Sequence, residues 1–228
     1  MPLPSYSIVM TTKDMNRLFL RQALESLRNQ NYPPLEIIIV HPAADKNAEY
    51  IAGLERSSRG LVRSLVPEGT QFEAMDAGFR ECQGEFVSAF DSDDYALPAK
   101  YHVELAEAVQ DPSLQVIYSR YCYTDENLNI QSISEIDPPS LEWLRKMCII
   151  PGPALVRREA GEKVGWLDTA YEGAALYSFW LKLMERYKGG AFKAVDAVTW
   201  LYRQREGALS QTESKTVHQM DNRRKAVQ

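Results

Sequence analysis

Short apolar runs alternate with amphipathic stretches through the first half of this 228-residue chain. The apolar runs predict strands at 7–10, 35–40, 61–66, 85–90 and 114–119, and the stretches between them predict helices around 20–27, 46–56, 71–82 and 99–110. Strands and helices that alternate in this way are typical of an α/β fold, with a mostly parallel central sheet and helices on both faces.

The second part of the chain is less regular. Its patterns predict helices at 141–147 and 174–188 and strands at 154–156 and 194–202. The polar tail from Thr212 is predicted to be either a helix or frayed. We expect one domain over 1–228, in which a regular part, 1–112, is followed by a second part, 113–211, and by the tail, 212–228.

Three carboxylates follow the predicted strand that ends at residue 90, in the run Asp91-Ser92-Asp93-Asp94. Ligands of open α/β sheets bind beyond the carboxyl ends of the strands. Carboxylates this close together repel one another unless a cation neutralises them, and a hard divalent ion that bridges to a diphosphate would do so. A solvated acidic turn is the plainer alternative, since Asp and Ser favour turns. The order of the surrounding elements favours a ligand site.

Composition narrows the classes of function. A formal net charge of -5 argues against a nucleic-acid-binding protein, which usually has a basic face. The 3 cysteines are odd in number and widely spaced, which favours neither a disulfide framework nor a zinc site. No signal peptide is visible, and no apolar run approaches the ~20 residues that span a bilayer. We therefore expect a cytoplasmic protein without a transmembrane segment, for which peripheral membrane contact stays open.

Four groups of segments, taken in order, resemble the family 2 inverting glycosyltransferases, which have the GT-A fold. They are SIVMTTKD at 7–14; ALESL at 23–27, QNYP at 30–33 and EIIIV at 36–40; AMDAG at 74–78, GEFV at 84–87 and DSDD at 91–94; and VGWLD at 164–168, FWLKL at 179–183 and YR at 202–203. Together they span nearly the whole chain, and a chance match of all four is far less expected than a lone DxD motif.

The resemblance implies a metal-dependent hexosyltransferase of polysaccharide biosynthesis. Such an enzyme moves a sugar, with inversion, from a nucleotide-diphosphate sugar to the hydroxyl of a glycan or a lipid-linked acceptor, and a UDP-sugar is the favoured donor. Residues 1–112 would then bind the nucleotide sugar, and residues 113–211 would form the acceptor side. The leaving diphosphate needs a cation, and the acceptor hydroxyl needs a base.

The resemblance also assigns roles to individual residues. The nucleotide-sugar-binding residues would be Thr11, Thr12, Lys13, Asp14, His41, Asp76, Asp91, Ser92, Asp93 and Arg203. Asp91 and Asp93 would hold Mn²⁺ or Mg²⁺, with Asp93 as the first choice. Asp94 is a candidate on the acceptor side. Arg205, like Arg203, is an arginine that could reach the diphosphate from a C-terminal loop, since a bidentate arginine suits that task.

Two positions depart from the family pattern. His41-Pro42-Ala43-Ala44 stands where the family usually has two Asp residues and Gly-Ser. His41 is either a base-contacting residue or a loop histidine without a role, and Asp45 could partly replace the missing acid.

The second departure concerns the catalytic base. Ala175-Leu176 stands where the family places an acidic pair that includes the base, so Glu172 is the nearest replacement and Asp168 another candidate. Glu172 and Asp94 are thus the candidate catalytic residues. The missing acid leaves a non-catalytic relative, which binds a nucleotide, a glycan or a partner protein, as the alternative function. A nucleotidyltransferase is a weaker third possibility.

Overall fold

The structure is a computed structural model that describes residues 2–205, except for the side chain of Glu172. In this range the strands form one sheet. They are β1 (Tyr6–Thr11), β2 (Glu36–Val40), β3 (Val62–Leu65), β4 (Phe86–Ala89), β5 (Tyr95–Ala96), β6 (Val116–Thr124), β7 (Ile130–Ile133), β8 (Leu155–Arg157) and β9 (Phe192–Arg203). The predicted tail, 212–228, lies outside the described residues.

Helices occupy most of the connections between the strands. They are α1 (Arg17–Arg28), α2 (Ala48–Ser57), α3 (Gln71–Glu81), α4 (Lys100–Gln110), α5 (Leu141–Lys146), α6 (Arg158–Val164) and α7 (Ala175–Tyr187), with short 3-10 helices at Thr169–Ala174 and Gly189–Ala191. No helix within residues 2–205 is both long and apolar enough to cross a bilayer.

The strand order is β3-β2-β1-β4-β8-β6-β9-β5, and β7 pairs with the outer part of β6. The first four strands in this order are parallel, and so is the pair of β6 with β9. Strand β8 is antiparallel to both of its neighbours, and β5 and β7 are antiparallel to theirs. The predicted α/β class is confirmed. The parallel arrangement belongs mainly to the first half, because β8 returns across the sheet between β4 and β6.

Two apolar cores, one on each face of the sheet, account for the helices on both sides. Successive strand residues point to opposite faces, so Ile8 and Val9 of β1 belong to different cores. Helix α1 buries Leu20, Ala23, Leu24 and Leu27 in the core that contains Ile8. Helices α3 and α7 pack in the core that contains Val9. The 3.6-residue spacing of the apolar positions in α1 thus produces the buried face that the sequence predicted.

The three cysteines are free, as expected for a chain without a disulfide framework. Cys82 and Cys122 are buried, and Cys148 is half-buried. Burial raises the pKa of the Cys82 thiol to about 12. This thiol is therefore protonated and unreactive at neutral pH.

Candidate functional site

A cavity of about 870 Å³ opens at the carboxyl ends of β1, β2 and β4. This is the edge at which ligands of open α/β sheets bind. The predicted residues that line it are Thr11, Thr12, Lys13, Asp14, His41, Asp91, Ser92, Asp93 and Arg203. Two of the predicted residues, Asp76 and Asp94, do not line it. Eight of these nine residues end or follow β1, β2 or β4, and Arg203 ends β9, so the ends of four strands bring them to one cavity.

The loop after β1 forms one wall of the cavity and is held by hydrogen bonds to the loop after β2. The Thr12 backbone N–H donates to the Val40 carbonyl (2.9 Å), and the Asp14 N–H donates to Oδ2 of Asp45 (2.9 Å). Lys46 N–H donates back to Oδ1 of Asp14 (2.9 Å). The carboxylates of Asp14 and Asp45 therefore cross-link the two loops. Asp45 itself is not among the residues that line the cavity.

His41 is buried beside the cavity at the end of β2. Its backbone N–H donates to the Leu65 carbonyl (3.1 Å), and its ring Nδ1 lies 2.9 Å from the Pro42 carbonyl oxygen. A carbonyl can only accept, so Nδ1 carries the proton in this contact. In the neutral ring Nε2 is then left as an acceptor. The ring is held in place by the protein and can accept a hydrogen bond from a ligand.

Helix α3 supplies part of the opposite wall. Its start is defined by a capping box, in which Thr70 Oγ1 accepts from the Glu73 N–H and the Glu73 carboxylate accepts from the Thr70 N–H. Phe72 and Met75 then line the cavity one helical turn apart. These apolar residues were not predicted as site residues, although their spacing on a helix that follows β3 was visible in the sequence.

Asp91 and Asp93 lie at the floor of the cavity, directly after β4. The Asp91 carboxylate has no hydrogen bond to any described residue, while Oδ2 of Asp93 accepts from Nε of Arg205 (2.6 Å). Asp91 is exposed to the open cavity, although many protein atoms lie within range of its carboxyl. This desolvation, followed by the charge of Asp93, raises its pKa above the usual range. Among the described residues, the Asp91 carboxylate is thus the one of the pair without a hydrogen bond or ion pair, and the charge of Arg205 opposes the rise of its pKa.

Arg203 lines the cavity, but its N–H groups are used inside the protein. Nε donates to the Asp93 carbonyl (2.6 Å), one terminal nitrogen donates to the Glu126 carbonyl, and the other donates to Oε1 of Gln22 (2.8 Å). The side chain is buried, and its guanidinium lies 4.3 Å from the centre of the Phe19 ring. Arg203 therefore holds the floor of the cavity together. Arg205, two residues further, is the more open of the two arginines.

Asp94 and Asp76 both accept hydrogen bonds within the fold, although Oδ2 of Asp94 has no partner among the described residues. Oδ1 of the buried Asp94 accepts from the Arg203 backbone N–H (2.9 Å), and its pKa is raised well above the usual range by burial and then by Asp91. Asp76 pairs with Arg80 (2.7 Å) and accepts from the Leu167 N–H (2.9 Å), which ties α3 to the loop before Thr169. A motif read along the chain does not reveal which of its members turn away from the cavity.

The position of the expected base is apolar in the structure as well. Ala175 is fully buried, and Leu176 lines the cavity. Glu172 lies in the 3-10 helix Thr169–Ala174, immediately before α7, and its side chain is outside the described part of the chain. Its backbone is thus about one helical turn from a residue of the cavity wall. Glu126, in the turn between β6 and β7, is an acidic lining residue that the sequence analysis missed.

Asp91 and Asp93 fit a divalent cation only together with further oxygen donors. Among the described residues, no set of three or more His, Cys, Asp or Glu side chains is arranged to hold a metal ion. Magnesium sites often use one or two carboxylates and complete the coordination with substrate phosphates and water. The Asp91 carboxylate and the second oxygen of Asp93 fit this pattern. The donor set therefore suits a cation that arrives with a phosphorylated ligand.

The tyrosines of β6 form an aromatic cluster beside the cavity. Tyr121 packs against Trp200 and Tyr123, with ring centroids 4.5 and 5.0 Å apart. Tyr123 in turn lies 5.8 Å from Tyr202, which lines the cavity. Tyr121 and Tyr123 also line a second cavity of about 380 Å³. Tyr118 donates its hydroxyl to the Asp137 carbonyl (2.7 Å) and belongs to the core.

Comparison with known proteins gives a consistent result. The profile of the family described as "Glycosyl transferase family 2" matches residues 7–165. The "O-antigen biosynthesis protein RfbC" of Myxococcus xanthus is 31% identical over 219 residues, which are 91% of this chain and 16% of that protein. An uncharacterized glycosyltransferase of Methanocaldococcus jannaschii is 24% identical over 150 residues, which are 63% of this chain and 50% of the relative. The chain thus spans half or less of the length of these two relatives.

Solved structures share the fold. S. aureus TarS 1–349 in complex with UDP-GlcNAc superposes with a TM-score of 0.72 at 16% identity, over 91% of this chain and 61% of that one. At this level of identity the similarity shows the fold alone. The GT-A arrangement expected from the four groups of sequence segments is therefore confirmed by the structural neighbours.

Proposed function

The chain belongs to glycosyl transferase family 2, and on this basis we propose that it moves a sugar from a nucleoside-diphosphate sugar to a hydroxyl acceptor. One observation carries the proposal. The family match includes the three strands whose carboxyl ends form the cavity, and this cavity contains the Asp91–Asp93 pair. A pocket that combines apolar walls with a few converging polar groups suits a nucleotide with a charged diphosphate.

The donor is proposed to be a UDP-sugar. The TarS structures with UDP-GlcNAc and with UDP support this choice through their shared fold. In this chain the nucleotide would occupy the wall formed by Thr11, Thr12 and His41. Thr12 has a buried hydroxyl without a hydrogen-bond partner in the described residues, and the His41 Nε2 is an acceptor for a base N–H. Both groups would gain partners when a nucleotide binds.

A divalent ion, Mn²⁺ or Mg²⁺, is proposed to bind with the donor. Asp91 and Asp93 would hold it, and it would offset the negative charge that grows on the leaving diphosphate. The protein itself would supply two carboxylates, which are held at the floor of the cavity. That floor is rigid because Arg203 ties it to the turn between β6 and β7 and to α1.

Glu172 is proposed as the base that takes the proton of the acceptor hydroxyl, with inversion at the anomeric carbon. Its place in the chain, just before a helix whose second residue lines the cavity, supports this role. The acceptor is proposed to be a glycan or a lipid-linked saccharide. The tyrosine cluster on the side of β6 provides aromatic surface on which a sugar ring could lie.

A donor-binding protein without turnover is the second candidate. It is favoured by one observation, which is that Leu176 lines the cavity where the family places an acid. Such a protein would bind the nucleotide as the enzyme does, but it would neither transfer nor hydrolyse the donor sugar.

Calorimetric titration with UDP, GDP, TDP and CDP, with and without Mn²⁺, tests the proposal. We expect one nucleotide to bind more tightly with Mn²⁺, and Asp91→Asn to weaken that metal-dependent binding at least ~10-fold because a charged ligand is lost. The control is Asp196→Asn, which neutralises an exposed carboxylate outside the cavity and leaves binding unchanged. Absence of binding by all four nucleotides in both conditions would contradict the proposed function. Binding without any sugar transfer or hydrolysis would favour the second candidate.

A further inference from the structure

Arg205 and Asp93 form an ion pair at the floor of the cavity. Nε of Arg205 lies 2.6 Å from Oδ2 of Asp93, and both residues line the cavity. The two side chains are only 23% and 14% exposed, so the pair is not a fully solvated surface contact. One of the two carboxylates assigned to the cation therefore already has a positive partner from the protein.

The backbone around Arg203 explains why Arg205 reaches this point. The Arg203 N–H donates to Asp94 Oδ1 (2.9 Å), and Arg203 Nε donates to the Asp93 carbonyl (2.6 Å). These two bonds fix the end of β9 against the acidic loop. The chain then continues for two residues and presents the next arginine to the Asp93 carboxylate. The ion pair is thus a consequence of how β9 ends.

The Arg205 guanidinium has capacity for a second anion. An arginine has five N–H donors arranged as a planar fork, which matches the oxygens of a carboxylate or a phosphate. Within residues 2–205, the bond from Nε to Asp93 is the hydrogen bond that Arg205 makes. The terminal nitrogens remain for a ligand in the cavity. A single arginine can therefore contact Asp93 at one side and a phosphate at the other.

The charges of the site favour such a bridge. A diphosphate and the Asp93 carboxylate are both anionic, and like charges at short range repel unless a cation lies between them. We propose that Arg205 bridges Asp93 to the diphosphate of the donor and acts as a cation that is built into the chain. The inference rests on the proposed function. It predicts that part of the nucleotide affinity persists without any divalent ion.

Binding of UDP in the presence of EDTA tests the bridge directly, because no metal then contributes. We expect the wild-type protein to keep measurable UDP binding in EDTA, and Arg205→Gln to weaken it at least ~10-fold through loss of a charge-assisted bond. Arg205→Lys keeps the charge but replaces the planar fork with a compact ammonium, which matches two anions less well, and we expect it to weaken metal-free binding as well. The matched control is Arg145→Gln, which removes an exposed arginine paired with Glu185 and should bind UDP like the wild type.

Titration of Mn²⁺ alone provides a second measurement. Since Arg205 occupies one oxygen of Asp93, Arg205→Gln should bind Mn²⁺ at least as tightly as the wild type while it binds UDP in EDTA more weakly. A general loss of folding would instead reduce both affinities. Opposite directions in the two titrations of Arg205→Gln therefore identify a bridge, and a loss of both the Mn²⁺ affinity and the UDP affinity in this variant would overturn it.

The outcomes separate this inference from the proposed function. If UDP binds with Mn²⁺ but not in EDTA, the donor site stands and the bridge is overturned. If Arg205→Gln binds UDP in EDTA as tightly as the wild type, the bridge is likewise overturned. If no nucleotide binds in either condition, both proposals fail. Retained binding in EDTA that depends on the arginine fork supports the bridge.

Discussion

Arg203 and Arg205 stand two positions apart and have different roles because they meet different partners. Arg203 donates to the side-chain amide of Gln22 and to the main-chain carbonyls of Asp93 and Glu126, so its charge is enclosed by the fold. Arg205 meets a single carboxylate at the edge of open space. The sequence offered both arginines as diphosphate ligands, and residue type alone could not choose between them. The two side chains differ because, in the folded protein, the N–H groups of Arg203 already donate to protein groups.

Glu172 provides the prediction at the scale of a single residue. If this glutamate is the base, Glu172→Gln should lower turnover by about 10²–10⁴-fold, because the amide cannot accept the proton of the acceptor hydroxyl. The affinity for UDP should stay the same, since glutamine keeps the size of the side chain. Initial-rate assays of donor consumption and calorimetry measure the two quantities separately.

Glu159→Gln is the matched control, because Glu159 is an exposed glutamate of α6 that faces Lys163 (3.8 Å). It should leave both turnover and UDP affinity at wild-type values. Wild-type turnover of Glu172→Gln would remove Glu172 from the mechanism.

Among the elements, α3 depends on a close approach to the sheet. A Cβ at Gly78 would lie 2.6 Å from Cγ1 of Val9 and 3.0 Å from Cγ2 of Val40, both in the strands whose ends form the cavity. Gly78→Ala would therefore push α3 away from β1 and β2. We expect the free energy of unfolding to fall by about 1–3 kcal/mol, as for other overpacked cores.

Gly53→Ala in α2 is the companion change, because the atom nearest to a Cβ there is 3.9 Å away, on Arg56. It should raise the free energy of unfolding by about 0.5–1 kcal/mol, since alanine is the better helix former. Denaturant titrations monitored by circular dichroism compare the two variants. Equal effects would mean that contact with Val9 and Val40 does not limit the packing of α3.

The helices and strands also show which elements can be predicted from sequence patterns. Strand β2 was predicted at 35–40 and lies at Glu36–Val40, and α3 was predicted at 71–82 and ends at Glu81. Local apolar periodicity and capping residues determine such elements. Strand β7 was not predicted, because all four of its residues are exposed and show no alternation. Its pairing with β6 depends on a hairpin rather than on burial.

The candidate site, too, can be predicted from the sequence only in part. The sequence could predict that Asp91 and Asp93 lie at the cavity, because they directly follow a buried strand. The positions of Asp76 and Asp94 could not be derived in this way. The first is drawn toward Arg80 and the Leu167 N–H, and the second toward the Arg203 N–H. Leu167 and Arg203 are distant in the chain from these two carboxylates, so only the folded molecule shows that each carboxylate accepts a hydrogen bond from the backbone.

For the whole molecule, a buried ion pair connects the two halves of the chain. Lys100 and Glu104 of α4 are 2.6 Å apart, and the Glu104 carboxylate also accepts from Ser119 of β6 (2.5 Å) and from Thr199 of β9 (3.4 Å). Burial raises the pKa of Glu104 and lowers the pKa of Lys100, while each partner opposes the shift of the other. Each of the two buried charges is therefore stabilised by the other.

Lys100→Met should lower the free energy of unfolding by about 3–5 kcal/mol, because it leaves a buried carboxylate without its cation. The double variant Lys100→Met/Glu104→Leu should recover at least half of that loss, since neither charge then remains buried. Chemical denaturation of the wild type, both single variants and the double variant completes the cycle. A double variant no more stable than Lys100→Met would indicate that the polar contacts of Glu104 matter more than its charge.

Arg203 has a consequence for the order of events during synthesis. The contact of its guanidinium with Gln22 joins residues 181 positions apart. The strands β1, β2 and β4 leave the ribosome before β9 does, and until β9 follows, the floor of the cavity lacks the side chain that holds it. If the proposed nucleotide needs that floor, it would therefore stabilise the chain only after β9 has closed against the acidic loop.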